Sequence, residues 1–235
     1  MSQKVLLNNA HNGMKKILII LLLYYPISTY AQGLSFEYAV GYGTYQLYDI
    51  RNFQESMINR YGLQQTDCFP NYITHSLAVG YIIKNHHFGS NYSFFTTGGR
   101  LHRADYSGSY TVDMIMNGNR VGGFYKYYVN TGLSPLDLYF QFSSGIMISS
   151  LKMKEQMVIY SESIEQTMNL KGVGLYLEPT AGITYRLTNW LHFSLGGGYE
   201  FDLLGRLKLS GRPTQLMAHW NGLRLYGGII LTINN

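Results

Sequence analysis

The side chains in this 235-residue sequence that are spaced for chemistry are mostly charged ones. Glu178 lies nine positions before Leu187, Glu200 ten after Trp190, and Arg224 nine before Ile233. On adjacent strands those offsets bring two carboxylates and a guanidinium to similar height. A planar guanidinium can donate to both carboxylates, and a charge left alone in a narrow lumen would be costly. Glu37, Lys126 and Arg186 are expected to form a second, lower group. The chemistry on offer is a filled ion network or, alternatively, a switchable ion path.

Other constellations are weaker. His75, His102 and His192, with serines on several strands, make a Ser–His–acid trio conceivable, but nucleophilic catalysis needs Ser, His and an orienting group in mutual reach. No spacing selects such a set, so no catalytic residue is expected. His86-His87 sits where a short turn is expected, and two neighbouring histidines alone do not make a metal site. Gly196-Gly197-Gly198 lies within a strand and opens no helix, so it is not a phosphate-binding loop. One cysteine, Cys68, excludes an intramolecular disulfide framework and a multi-thiolate zinc centre. Neither a metal nor a cofactor is expected.

The elements that must position these charges read as strands. From Trp190 to Phe201, Leu191, Phe193, Leu195, Tyr199 and Phe201 alternate with His192, Ser194, Gly196, Gly198 and Glu200. Large apolar groups on one face and small or polar groups on the other, over about ten residues, is the signature of a transmembrane β-strand. The same period of two runs through 34–43, 173–185 and 223–233, with further strands expected at about 72–83, 88–106, 112–129 and 137–152. The connections 84–87, 131–135 and 188–189 are short; 46–71, 160–171 and 209–218 are longer, and 107–111 is an exception. Eight strands give three short turns and four loops, as a barrel with both termini on one side requires. A soluble barrel or sandwich would instead bury its large apolar face.

One segment breaks the rhythm. In Asp49–Tyr61, Ile50, Phe53, Met57, Ile58 and Tyr61 recur at helical spacing, Asp49 can cap the start and Gly62 can stop the end. This predicts a helix in the first outer loop, with its apolar face packed on the rim or serving as a lid or partner-binding element.

Lys15 and Lys16, the apolar run from Ile17 to Pro26, and Ser28-Thr29-Tyr30-Ala31 read as an export signal, too short to span a bilayer. Residues 1–31 are therefore expected to be removed, with Met14 a better start than Met1, and residues 32–235 to form one domain. Setting 1–31 aside removes Lys4, Lys15 and Lys16 and no acid, so the net charge of +5 falls to +2. That argues against a nucleic-acid partner. Charged residues are only 13% of the chain and aromatics 15%, which suits a surface facing lipid.

The alternation, together with Gly41-Tyr42-Gly43-Thr44-Tyr45, Asp67-Cys68-Phe69-Pro70, Asp105-Tyr106-Ser107-Gly108 and Leu175-Tyr176-Leu177-Glu178-Pro179, resembles the small eight-stranded outer-membrane barrels of the OmpA/OmpX kind. It is similar in particular to the porin-family barrels of Bacteroidetes-type bacteria. The chain departs from the common terminal aromatic of such barrels by ending in Asn234-Asn235. The resemblance implies an all-β, closed, monomeric eight-stranded antiparallel barrel in the cell outer membrane, with interior ion pairs. The expected role is structural or surface-interactive: envelope integrity, adhesion or a subunit of a larger assembly. A narrow pore for ions or small solutes is the alternative, and a lipid-modifying enzyme a third. Expected partners are outer-membrane lipid, lipopolysaccharide phosphates near Arg100, Arg103, Lys152, Lys154, Arg206, Lys208 and Arg212, and a protein at the outer loops. Tyr127, Tyr185 and Trp190 fit interfacial aromatic girdles.

Overall fold

The computed structural model describes residues 33–129, 132, 135–160, 162–203 and 205–234. The expected export signal at 1–31 and most of the 131–135 turn lie outside the described residues.

Eight strands close into an antiparallel ring: β1 (Gly33–Gly43), β3 (Tyr72–Ile83), β4 (His86–Asp105), β5 (Gly108–Val129), β6 (Leu136–Ile159), β7 (Glu162–Arg186), β8 (Leu191–Leu203) and β11 (Gly222–Asn234). Neighbours in sequence pair with one another, and β1 pairs with β11 to finish the circle. Closure leaves no ladder edge within the ring, which hydrocarbon demands. A short β2 (Gln64–Cys68) continues the wall beside β4. The hairpin of β9 (Arg206–Leu209) and β10 (Arg212–Met217) does the same beside β7. Its two-residue turn, Ser210-Gly211, has positive φ at both positions (48° and 84°), the geometry that matches strand twist. The end where β1 begins and β11 finishes is here the inner end; the opposite end is the outer one.

The strands differ greatly in length. β1, β8 and β11 have 11, 13 and 13 residues, whereas β6 and β7 have 24 and 25. A tilted strand needs about 9–11 residues to cross a bilayer. β4 to β7 therefore rise well above the membrane as a four-stranded wall. The expected loop at 160–171 is absent: the β6–β7 ladder runs up to Ile159 opposite Glu162. At the neighbouring tip, Asp105 Oδ1 accepts hydrogen bonds from the Ser107 N–H (2.8 Å), the Ser107 hydroxyl (2.6 Å) and the Gly108 N–H (3.2 Å). That Asx turn lets β4 meet β5 without a loop.

Polarity changes sides partway up the wall. On β6, Leu138, Phe140, Phe142, Ile146 and Ile148 point outward and are exposed, while Tyr139, Ser143 and Gly145 point inward. Beyond Ile148 the outward positions become Ser150, Lys152 and Lys154, and the inward ones Leu151 and Met153. β5 does likewise, with Val112, Met114 and Met116 buried inward above Arg120 and Lys126. The lower half is thus apolar outside, as lipid requires, and the upper half apolar inside, as water requires.

The upper half is packed from within. Helix α1 (Tyr48–Tyr61) folds inside the wall, where Ile50 and Met57 meet inward side chains of β4 to β6 and Leu207 of β9. Trp220, Phe95, Tyr45, Leu101, Met114 and Leu207 form its centre, and the Trp220 and Phe95 rings meet edge-on at 4.7 Å. α1 starts one residue earlier than expected. Its N-terminal position is Leu47, in the left-handed region, with no side-chain cap. Asp49 does not cap the helix; its carboxylate accepts the Met217 N–H (3.1 Å) and ties the helix to β10. Gly62, at φ 63°, ends the helix as expected of a left-handed C-terminal position.

Candidate functional site

The lumen below this packed layer is the candidate site. Inward positions on the strands alternate with lipid-facing ones, so each lumen side chain is placed by the phase of its strand. Arg120 of β5 stands at the centre. Its Nη1 donates to Glu178 Oε2 and to Glu200 Oε2, the latter at 2.7 Å, and its Nη2 donates to the Tyr226 hydroxyl at 2.9 Å. Tyr226 in turn donates to Glu178 Oε1 at 2.7 Å. Arg120 also lies over the Tyr176 ring, whose hydroxyl donates to Asn91 Oδ1 at 2.9 Å.

Arg224 is not the guanidinium that joins the two carboxylates. It sits above Glu200, Nη2 to Oε1 3.4 Å, and donates to the backbone oxygens of Thr44 and Trp220. Its guanidinium lies 4.9 Å from the centre of the Tyr45 ring, which couples the ion network to the apolar layer overhead. Towards the inner end, Lys126 Nζ donates to Glu37 Oε2 at 2.7 Å and covers the Tyr139 ring at 4.7 Å. Arg186 does not belong to this lower group. It pairs with Asp137 at 2.9 Å near the mouth, with its side chain 47% exposed. The last residues of a strand reach water, and Asp137 on the neighbouring strand is nearer than Glu37.

Arg120, Arg224 and Lys126 face Glu37, Glu178 and Glu200, and a fourth inward carboxylate, Asp202 of β8, accepts the Trp220 N–H at 3.2 Å. All but Glu37 are buried. Buried ions of this kind are tolerable only with partners and hydrogen bonds in place. Between the two tiers lies a cavity of about 50 Å³ whose lining includes Glu37, Arg120, Tyr139, Gln141, Glu178 and Tyr226. That volume has room for a few ordered water molecules.

The inner mouth is also occupied. His87 was expected in a solvated turn, but the turn is Lys84-Asn85, and His87 is an inward, buried residue of β4. Its Nε2 lies 2.6 Å from Ser35 Oγ, which itself donates to the Gly80 carbonyl. Nδ1 faces the Tyr128 hydroxyl at 3.3 Å. His75 meets Tyr38 and His102 meets Thr111. Among the described residues, no group of three or more His, Cys, Asp and Glu side chains could hold a metal ion.

On α1, Ile50 and Met57 are buried in the upper core, and Phe53 and Ile58 pack against it. Tyr61 departs from the expected face and is exposed. Gln54, not anticipated, is buried and donates to the Asp67 carbonyl at 2.7 Å. Arg120 and Tyr226, the centre of the network, were also missed. The inward phase that Lys126 sets on β5 contains Arg120, but Met114 and Met116 in that phase break the polar-inward rule.

No protein-family model and no curated protein matches the chain. Among solved structures it is similar to Neisserial surface protein A, at 12% identity and TM-score 0.43 over 86% of this chain and 98% of that one. It is similar to the attachment invasion locus protein Ail of Yersinia pestis, at 15% identity and TM-score 0.36, over 86% and 97%. A third is the N-terminal β-barrel domain of Pseudomonas aeruginosa OprF, at 11% identity and TM-score 0.31, over 86% and 100%. By its own ring of eight antiparallel strands, apolar outside and ion-paired inside, the chain is a small transmembrane β-barrel.

Proposed function

We propose that the chain is a surface protein of the cell outer membrane, structural or surface-interactive in role and without enzymatic activity. The observation that carries this reading is the combination of a filled lumen with a long wall on the outer side. Among the described residues, two ion-paired tiers and an apolar core lie in series along the barrel axis. Above them the wall presents large side chains to water at its tips: Tyr106 is fully exposed, and Tyr160 and Ile164 are 83% and 64% exposed. Exposed aromatic and aliphatic groups clustered at one end favour contact with a partner.

Reconstitution in planar bilayers tests the reading. The wild-type barrel is expected to give no steady conductance, and a sustained ohmic current would establish the narrow pore instead. Surface interaction is tested on cells displaying the full chain. Serine at Tyr106, Tyr160 and Ile164 together should reduce attachment or crosslinked partner capture severalfold, with the barrel still folded. Unchanged capture would leave envelope integrity as the role.

A further inference from the structure

One row of the wall breaks its own rule for placing charge. Near the outer tip, charges of opposite sign sit side by side: Arg100 binds Asp113 (2.5 Å), Asp113 lies opposite Lys154, and Lys154 binds Glu165 (2.9 Å). Lower on the same surface, Lys171 of β7 lies directly opposite Lys208 of β9. Lys152 of β6, opposite Asn169, is their diagonal neighbour, and Arg206 precedes Lys208 by two positions on the same outward face. All four are exposed. Among the described residues, none of them has a carboxylate within ion-pair distance. Like charges directly opposite on paired strands are destabilising unless something neutralises them.

Their height says what does. Outward Ile148 and Val173 end the apolar belt on this side. Lys171 is two residues above Val173, about 7 Å along the strand. The headgroup layer on each side of a bilayer is about 5–8 Å thick. The outward positions of β1, β3 and β11 carry no Lys or Arg, so the cationic row belongs to one side of the barrel.

We propose that Lys152, Lys171, Arg206 and Lys208 form a binding site for the phosphate-bearing headgroup of an outer-leaflet anionic lipid. The lipid's acyl chains lie along Val173, Leu175 and Leu203 beneath it. The site rests on the membrane-barrel reading and narrows the lipid contact expected from the sequence to four residues on one face of the barrel, with Lys171 added and the paired Arg100 and Lys154 set aside. Clustered cations at headgroup level attract phosphate without needing a shaped pocket.

The test uses the full chain in nanodiscs of zwitterionic lipid containing a small fraction of diphosphorylated glycolipid, with retained lipid counted by native mass spectrometry. The wild type should retain the glycolipid, and Lys171→Gln with Lys208→Gln should lower apparent affinity about thirtyfold. Lys154→Gln, in the paired row, should change it little. Removing the lipid's phosphates should abolish retention, and inorganic phosphate should not compete at lipid-like concentrations. Equal retention by wild type and double variant, or full competition by inorganic phosphate, overturns the site alone. A wild-type chain that does not insert into the bilayer overturns the barrel reading and the site with it.

Discussion

Arg120 and Glu178 meet in the lumen from β5 and β7, strands that do not pair with each other. Their contact therefore ties two strands together over β6 and not along a ladder, and the Tyr226 hydroxyl from β11, on the opposite side of the ring from β5, braces both across the barrel's width.

Replacing Arg120 with Ala leaves Glu178 and Glu200 buried with their shared cation gone. The cost is expected to be about 3–5 kcal/mol, read as a lowered denaturant midpoint of the detergent-solubilised barrel. Adding Glu178→Gln to that variant should recover part of the loss. A single variant as stable as wild type would show that the brace contributes nothing.

Trp220 fills the middle of the upper core and donates its indole N–H to Ser149 Oγ at 2.8 Å. Trp220→Ala should cost about 3–5 kcal/mol. The loss should be local: amide hydrogen exchange should quicken in α1 and the outer halves of β5 and β6, while the inner half of β11 keeps its protection. Uniform loss of protection would show that the two halves unfold together.

Gly196 faces the Tyr139 side chain so closely that a Cβ there would collide with the Tyr139 hydroxyl. Gly196→Ala should therefore destabilise by about 1–3 kcal/mol. In a Tyr139→Phe background the same change should cost clearly less, a coupling that a double-mutant cycle measures. Additive effects would mean that the close approach does not constrain position 196.

The Asp105 carboxyl at the β4–β5 tip is held below the usual aspartate value, first by the Ser107 hydroxyl and then by the Ser107 N–H. A depressed folded value means that the turn gains from the carboxylate at any pH above about 3.9, the unfolded value. That gain is lost as the pH falls through the depressed folded value. Carbon-detected NMR titration of Asp105 should give a midpoint below 3.9, and a midpoint at or above it would contradict the turn geometry.

How much of this was legible in the sequence follows from where each strand's phase stays constant. β1, β3, β8 and β11 lie mostly within the membrane, keep one phase throughout, and are found where alternation predicts them. β6 and β7 keep their inward and outward sides, but the residue types on those sides exchange places near Ile148 and Val173. A rule that equates apolar with outward then loses the strand, and so 160–171 reads as a loop. The same exchange hid Arg120, whose inward neighbours Met114 and Met116 belong to the water-soluble half. The carboxylates Glu178 and Glu200 were legible because β7 and β8 are in membrane phase at those positions. Which cation they share depends on a residue two strands away, and period and spacing do not encode that.

The level at which the wall exchanges its greasy and wet sides also sets how deep the protein can sit. Sinking by two residues would press Lys152 and Lys171 into oil; rising by two would strand Ile148 and Val173 in water. Four adjacent strands thus act as a waterline painted on a hull. A bilayer of different thickness must stretch or thin around that side before the protein shifts along its axis.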